Sequence, residues 1–389
     1  MKKAILSAVL VFSLAAAWAD SPRVARRTPQ TAQQGACAVP GHKLLLNRCD
    51  APWNCEDVKL LRSKAEAALK LKPVAVTDKE IAPPSGDRHD YMSFGPYWWP
   101  DPSKPDGLPY IRRDGEVNPG TRKNSDRPRL ETLRRTVATL AGARYRLADA
   151  DDGLGRRAGE AGVRWLKRFF LDPETAMNPN LEYGQSIPGI CKGRGIGIID
   201  TYELADFLLD AIILLHESGD LSDGDFAGLR RWFGRYLDWL TTSANGIKER
   251  GEHNNHGTAY DVQVAAFSLF CGRREQAAKT LDGMKARRID TQIRSDGSQP
   301  HELARTRALS YSTMNAALFA DALVLGAQTG VDLWGYESAG GGSIRKALEW
   351  MIPYWERKLE WKWRQITKFD ERGARWPLAV YRRFMRETR

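Results

Sequence analysis

Several motifs that define common protein classes are missing from this chain of 389 residues. It has no Cys-x-x-Cys pair and no cysteine–histidine array with zinc spacing, so we expect no structural metal. The Gly-x-Ser-x-Gly motif is absent, which excludes the nucleophile elbow of the α/β-hydrolases. No RRM, KH or zinc-finger signature is present, and we expect no nucleic-acid partner. The sequence also lacks a fixed repeat of about 30 to 50 residues, so a regular solenoid is not expected.

Long apolar runs are scarce as well. After the N-terminus no segment offers about 20 uninterrupted apolar residues, so we expect no membrane-spanning helix in the mature chain. The first residues carry Lys2 and Lys3, an apolar run over 4–14 and the small-x-small site Ala17-Trp18-Ala19. This pattern predicts a signal peptide over residues 1–19 and a periplasmic or secreted protein.

Cysteines are few, and export would place all five of them in an oxidising compartment. Cys37, Cys49 and Cys55 lie close together in the sequence, which predicts a local disulfide among them. Spacing alone does not determine which two are paired.

The chain is strongly basic, with a formal net charge of +11. A basic exported protein often meets a polyanion, and an acidic polysaccharide would satisfy the same electrostatics as nucleic acid. The alternative is a solvated basic surface with no specific partner.

Helical periodicity dominates the sequence after residue 125. Within 222–242 the apolar residues recur at steps of three and four, behind an N-cap candidate at Ser222. Comparable patterns cover 129–148, 156–171, 200–218, 258–270, 273–287, 311–329 and 343–359. Residues 204–215 are apolar on more than one face, which indicates an inner helical layer wrapped by an outer one. We therefore predict an all-α fold.

A long stretch without periodicity precedes the helical part of the chain. Residues 83–128 are rich in proline, glycine and aromatic side chains, and this density of rings argues against disorder. Tyr97, Trp98 and Trp99 are candidates for stacking on sugar rings, whose C–H faces are apolar. The alternative is that these rings plug one end of a helical barrel.

Two polar clusters each precede an apolar helix. GEHNNHGTAY at 251–260 supplies amides and imidazoles, and HELARTRALSYSTMN at 301–315 supplies a guanidinium and a phenol. A glycosidase would need two dedicated carboxylates, which are not prominent here. The set suits proton abstraction next to a carboxylate. Because Tyr311 follows Arg305 by six residues, the two side chains converge only if the helix breaks, and we expect the break near Ser310.

Each residue of these clusters also has a purely structural interpretation. Asn255 could cap a helix beginning near Thr258, His256 could be a buried structural histidine, and Arg305 could pair with Glu302. Tyr311 could be a core tyrosine bonded through its hydroxyl. His253 and His256 are spaced like a pair of metal ligands, but the sequence offers no clear third ligand.

Four motifs in order resemble the alginate lyase superfamily of secreted polysaccharide lyases. They are DYMSFGPYWWPDPSKPDGLPYIRRDGEVNP at 90–119, NPNLEYGQSIPGICKGRGIGIID at 178–200, NNHG at 254–257 and HELARTRALSYS at 301–312. The likeness runs from about residue 60 to about residue 370. The spacing from Arg305 to Tyr311 is one residue shorter than in the best-known members and is more similar to polysaccharide lyase family 38 than to the related family 5.

This resemblance implies an incomplete α/α barrel, or toroid, with a deep substrate groove and a long aromatic loop. The barrel would cover residues 57–389, after a cysteine-containing extension over 20–56. The implied catalytic set falls on Asn255, His256, Arg305 and Tyr311. The remaining expected substrate-binding positions are Tyr97, Trp98, Trp99, Asn180, Tyr183, Gln185, Arg194, Asn254, His301 and Arg307.

The implied chemistry is β-elimination on a 4-linked uronic acid, without cofactor or metal, by a monomer acting on an acidic polysaccharide. Asn255, His256 and Arg305 would neutralise the C6 carboxylate, and Tyr311 would act as base and acid. Arg305 is expected to lower the pKa of Tyr311. Poly-β-D-mannuronate, the main block of alginate, is the first candidate substrate and glucuronan the second. Two other classes stay open, a non-catalytic binder of acidic polysaccharide and a glycoside hydrolase on a related barrel.

Overall fold

The structure is a computed structural model, and it describes residues 43–150 and 152–388. Helices dominate this part of the chain, which confirms the all-α prediction. The thirteen α-helices of the described residues are α1 (Val58–Leu69), α2 (Arg127–Arg146), α3 (Leu154–Phe170), α4 (Leu208–Glu217), α5 (Asp223–Thr242), α6 (Ala244–Arg250), α7 (Asn255–Phe270), α8 (Arg274–Met284), α9 (Asp290–Gln292), α10 (Pro300–Leu303), α11 (Ala308–Thr329), α12 (Ile344–Trp355) and α13 (Arg375–Glu387).

The helices form two layers, as the toroid prediction requires. The inner helices α7 and α11 pack against each other and are buried on almost every face. Outer helices cover them, with α5 and α8 against α7 and α13 against α11. α3 shows the amphipathic pattern of this outer layer, because its apolar side chains face α2 while Arg156, Arg157 and Arg164 are exposed.

α11 also has the length and the composition of a membrane-spanning helix. However, 72% of its apolar window is buried inside the protein. Burial of this extent is typical of a core helix, whose partners are other helices of the same chain.

Four short strands organise the aromatic loop between α1 and α2. β1 (Met92–Phe94) pairs in parallel with β4 (Tyr183–Ser186), and β2 (Trp98–Trp99) pairs antiparallel with β3 (Ile111–Arg112). The loop is thus folded back on itself and anchored to a segment that lies far away in the sequence.

The chain before α1 packs into the helical core. Leu44, Leu46 and Trp53 are buried, and the amides of Leu45 and Asn47 donate to the Asp210 carboxylate of α4 at 2.6 and 2.7 Å. The predicted boundary between an extension at 20–56 and a barrel at 57–389 stays a prediction. The predicted signal peptide over 1–19 lies outside the described residues.

The cysteine prediction is decided only in part. Cys55, Cys191 and Cys271 carry free thiols, so a bridge that includes Cys55 is wrong. Cys37 lies outside the described residues, and its pairing stays a prediction.

Candidate active site

The first part of the site is the N-terminus of α7. Asn254 has an extended backbone, and its side-chain oxygen accepts a hydrogen bond from the His256 amide at 3.0 Å. Asn254 is therefore the N-cap, and the helix begins at Asn255, three residues before the expected start near Thr258. The interpretation of Asn255 as the cap is wrong. The role of Asn254 in substrate binding stays a prediction, and its amide oxygen is committed to the cap.

Asn255 is held by a buried carboxylate. Its backbone amide donates to Glu302 Oε1 at 2.6 Å, and its side-chain Nδ2 donates to Glu302 Oε2 at 2.8 Å. Both residues are 1% exposed. Burial raises the pKa of Glu302, against the two hydrogen bonds from Asn255, which lower it. The amide plane of Asn255 is fixed by this contact.

His256 is paired with a second buried carboxylate. Its Nδ1 lies 2.8 Å from Glu249 Oε1, and the side chain keeps 17% of its surface exposed while that of Glu249 keeps none. Burial lowers the pKa of His256, but the charge and hydrogen bond of Glu249 outweigh it, so the net pKa is raised. Burial also raises the pKa of Glu249. The pair therefore favours a cationic imidazole whose Nε2–H is a donor.

The second part of the site begins where the polypeptide breaks between two helices. α10 ends at Leu303 and α11 begins at Ala308, so the break spans 304–307 and not the expected position near Ser310. The break brings the Arg305 guanidinium to 4.0 Å from the centre of the Tyr311 ring. The convergence of these two side chains is as expected, although its location in the chain differs.

Arg305 pairs with a carboxylate of the aromatic loop and not with Glu302. Its Nη2 donates to Asp114 Oδ1 at 2.8 Å, and the Thr306 hydroxyl donates to Asp114 Oδ2 at 2.9 Å. Burial raises the pKa of Asp114, but these contacts lower it to about 2. Asp114 was missed in the sequence, where its only mark is the Asp-Gly turn. Gly115 has φ 78°, and a side-chain carbon there would lie 2.3 Å from the Thr306 hydroxyl.

The Tyr311 hydroxyl has a phenolic partner. It lies 2.5 Å from the hydroxyl of Tyr97, which the aromatic loop brings to the start of α11. Burial raises the pKa of Tyr311, the neighbouring Tyr97 raises it further, and Arg305 lowers it. The expected net lowering of this pKa is therefore wrong, although the direction of the Arg305 contribution is as expected.

A third cation lies beside the His256–Glu249 pair. Arg194 donates to the backbone oxygen of Gln185 at 3.0 Å and to its Oε1 at 2.9 Å, and its guanidinium lies 5.9 Å from the Trp98 ring. Its charge lowers the pKa of Glu249. Burial lowers the pKa of Arg194. Gln185 is fixed in turn by donating to the buried carboxylate of Asp200 at 3.0 Å.

Other predicted substrate-binding residues are engaged with protein partners. Asn180 Nδ2 donates to Asp90 at 3.1 Å, and Arg307 Nε donates to the Thr367 hydroxyl at 3.0 Å. The Trp99 indole donates to the Glu116 backbone oxygen at 3.0 Å, on the β2–β3 side of the loop. Tyr183 pairs with Met92 through the backbone of β4. Their roles in substrate binding stay predictions.

His301 lies next to another histidine, His253. Its ring centre is 5.3 Å from that of His253. Burial lowers the pKa of His301, and so does the neighbouring His253. Within 43–150 and 152–388 no group of three or more His, Cys, Asp or Glu side chains is arranged to hold a metal ion.

Gln365 stabilises the start of α11, and sequence reasoning missed it completely. Its Oε1 accepts from the amides of Leu309 and Ser310 at 3.1 and 3.3 Å, and its Nε2 donates to the Ser310 hydroxyl at 2.9 Å. These amides belong to the first turn of α11, which has no acceptor inside the helix. Gln365 thus replaces the missing N-cap side chain at Arg307 and holds the turn that carries Tyr311.

Comparison with known proteins decides the family. The family model described as alginate lyase matches residues 75–361. The crystal structure of an alginate lyase from Bacteroides ovatus is 40% identical over 87% of this chain and 89% of that chain, with a TM-score of 0.80. The chain belongs to the alginate lyase family. It is therefore a polysaccharide lyase, and the resemblance of its motifs to this superfamily is confirmed.

Another solved structure is less similar to this chain. The crystal structure of alginate lyase A1-III from a Sphingomonas species is similar at 15% identity over 81% of this chain and 80% of that chain, with a TM-score of 0.42. None of the curated proteins matches the chain.

Family membership also removes two of the alternatives. A glycoside hydrolase and a non-catalytic binder were both compatible with the sequence, but neither agrees with a lyase family that matches most of the chain. The family implies an acidic polysaccharide as substrate, in agreement with the basic composition.

Proposed function

We propose that this alginate lyase family member cleaves 4-linked uronic acid polymers by β-elimination, with mannuronate-rich alginate as its substrate. The observation that carries the proposal is the convergence of Arg305 and Tyr311, with the guanidinium 4.0 Å from the phenol ring. Glu302 connects this pair to the other half of the site, because it holds Asn255 and its pKa is lowered by the charges of Arg305 and His256.

The first task of the site is to neutralise the C6 carboxylate of the sugar. Loss of the C5 proton would otherwise place a second negative charge beside the first. Asn255 and His256 supply hydrogen-bond donors and Arg305 supplies a positive charge, and these contacts strengthen as negative charge develops. The Glu249 contact supports this assignment for His256, because it favours the cationic form of the ring.

The second task is proton transfer, which we assign to Tyr311. Its phenolate takes the C5 proton, the C5 electron pair forms the C4–C5 double bond, and the C4–O bond breaks. The phenol then returns its proton to the departing oxygen. Arg305 lowers the pKa of Tyr311 and so favours the phenolate, against burial and Tyr97, which raise this pKa.

The choice of sugar follows from the geometry of this step. In mannuronate and glucuronate the C5 hydrogen and the C4 oxygen lie on the same side of the ring, so one tyrosine can serve both. Guluronate needs a base on the opposite face, which would be His256. The Glu249 contact raises the pKa of that histidine, and a protonated ring cannot accept a proton. Mannuronate and glucuronate differ only at C2, and glucuronan is therefore the second candidate.

We also propose that the protein acts as a monomer in the periplasm or outside the cell. The support for export is the N-terminal pattern of Lys2 and Lys3, an apolar run and Ala17-Trp18-Ala19.

The test is an assay of absorbance from the unsaturated uronate product. The protein is given polymannuronate, polyguluronate, glucuronan and hyaluronan in parallel. We expect the fastest product formation with polymannuronate, and a loss of roughly two to three orders of magnitude in turnover for Arg305→Ala and for His256→Ala. Arg157→Ala, which removes an exposed arginine of α3, is the control. Saturated products, or near-native turnover of either variant, would contradict the proposal.

A further inference from the structure

The segment that follows α12 has a strand-like alternation of exposure. Along 361–369 every odd-numbered residue is half-buried, while every even-numbered residue is exposed. This period of two places Lys362, Arg364 and Lys368 on one open face. We call these three residues the cationic row.

The opposite face of the segment is anchored in an aromatic cluster. The Trp361 and Trp363 ring centres are 4.9 Å apart, and Trp363 lies 5.2 Å from Trp350 of α12. Tyr354 contacts Trp361 at 5.1 Å. These ring contacts hold the segment in a defined position, so that the cationic row is fixed relative to the protein body.

The same segment is hydrogen-bonded to the catalytic polypeptide. The Ala308 amide donates to the Arg364 backbone oxygen at 3.0 Å, and the Ile366 amide donates to the Thr306 backbone oxygen at 3.0 Å. Thr306 is the residue after Arg305, and Ala308 lies three residues before Tyr311. The cationic row therefore starts one strand spacing, about 5 Å, from the backbone of the catalytic segment.

The charges of the row are not compensated by any described part of the chain. Among the residues that the structure describes, no carboxylate lies within ion-pair distance of Lys362, Arg364 or Lys368. Cations on either side of the row are paired, Lys358 with Glu356 and Arg372 with Asp370. The only acidic residue of 360–369 is Glu360. The row is thus a patch of net positive charge next to a site for an anionic polymer.

We propose that the cationic row is a distal binding site for the polyuronate chain, outside the catalytic centre. This inference rests on the proposed function, because a polymer with one carboxylate on each sugar extends beyond the sugars that react. Carboxylates of those outlying sugars would contact the row. Two residues of an extended backbone span about 6.7 Å, which is the expected spacing along the chain from Lys362 to Arg364. The row would add affinity for long chains and leave the chemical step unchanged.

The experiment compares two triple variants. Lys362→Ala/Arg364→Ala/Lys368→Ala removes the row, and Lys59→Ala/Lys70→Ala/Lys72→Ala removes three exposed lysines in and just after α1, which packs against α2 and α3. KM and kcat are measured with long polymannuronate and with short oligomers, at low and high salt. Equal melting temperatures confirm that both variants are folded.

We expect the KM of the row variant for the long polymer to rise roughly 5- to 30-fold at low salt, as loss of three exposed ion pairs implies. Its kcat and its KM for short oligomers should equal those of the native protein. High salt should remove the difference, because it screens exposed charges. An unchanged KM for the long polymer, an equal rise for short oligomers, or the same rise in the α1 variant would overturn the inference.

Failure of the proposed function looks different. If the native protein forms no unsaturated product from any polyuronate, the lyase assignment has failed and the row is tested by equilibrium binding of long polymannuronate. Equal affinity of the native protein and the row variant would then refute the row as well, and weaker binding of the row variant would support it.

Discussion

The two halves of the active site are held in different ways. On α7, Asn255 and His256 are anchored by the buried carboxylates Glu302 and Glu249, at sequence separations of 47 and 7 residues. On the α11 side, Arg305 is held by Asp114 and Tyr311 by Tyr97, at separations of 191 and 214 residues. The first half is built into the helical core, whereas the second depends on irregular segments that must dock onto it. In the proposed mechanism, carboxylate neutralisation is thus divided between a rigid part and an assembled part.

The assembled half is expected to show the largest single effect. Tyr311→Phe removes the hydroxyl to which we assign proton transfer, and we expect kcat to fall about 1000-fold with little change in KM. Tyr97→Phe removes only the hydrogen-bond partner that orients this hydroxyl, and a fall of about fivefold is expected, since one neutral hydrogen bond is worth about 1 kcal/mol. Initial rates with polymannuronate measure both. An equal loss in the two variants would show that the phenols act as one unit and would erase the distinction between them.

The rigid half should respond through pH. Glu249→Gln removes the largest influence that raises the pKa of His256, so the pKa falls, although the charges of Glu252 and Glu302 still raise it. We expect the rate-against-pH profile of the variant to lose activity at a lower pH than the native profile, because the imidazolium donor is lost earlier. A profile with lower rates at every pH but no shift along the pH axis would contradict the role of the His256–Glu249 pair.

The same pair predicts a pH dependence of stability. The folded pKa of His256 lies above its unfolded value, so its contribution is complete below the unfolded pKa and is lost as pH rises through the folded pKa. Urea unfolding of the native protein across this window should show the decline, and Glu249→Gln should show a smaller one.

The smallest effect is expected at Gln365. Its replacement by alanine leaves the Leu309 and Ser310 amides without their acceptor, and loss of a cap lowers the free energy of unfolding by about 1 kcal/mol. We expect kcat to fall severalfold at constant KM, because the turn that carries Tyr311 is less well fixed. Gln365→Glu keeps the acceptor at a helix N-terminus and should recover most of kcat. If the alanine and glutamate variants lose activity equally, the acceptor is not what positions Tyr311.

Most of the helical architecture could be predicted from the sequence, because burial of an apolar face imposes a period that residues report locally. The positions at which the helices begin and end were harder to predict from the sequence. α7 starts at Asn255 because Asn254 turns its side chain onto the His256 amide, and nothing in the run of two asparagines shows which of them is the cap. The break between α10 and α11 lies at 304–307 because this segment pairs with 364–366, a contact between positions far apart in the chain.

The residues of the candidate site likewise differ in how well the sequence predicts them. Residues in compact motifs, such as Asn255 and His256, could be selected from the sequence because their neighbours share the motif. Asp114 lies inside the motif at 90–119, yet its role depends on where the aromatic loop packs against Arg305 and Thr306. Gln365 lies in a stretch without helical periodicity, and only its hydrogen bonds to α11 reveal its importance. The pKa of Tyr311 was predicted in the wrong direction because burial and Tyr97 cannot be read from sequence spacing.

Three successive backbone amides donate to the Asp210 carboxylate, and this contact limits how far the chain can be shortened. The region that the family model matches, 75–361, omits the donors Leu45, Leu46 and Asn47, and at the other end it omits Gln365. Burial already raises the pKa of Asp210 to about 6 against these donors. A recombinant fragment trimmed to that region would leave the buried Asp210 carboxylate without these donors. We expect the fragment to aggregate or misfold under conditions in which the longer chain folds.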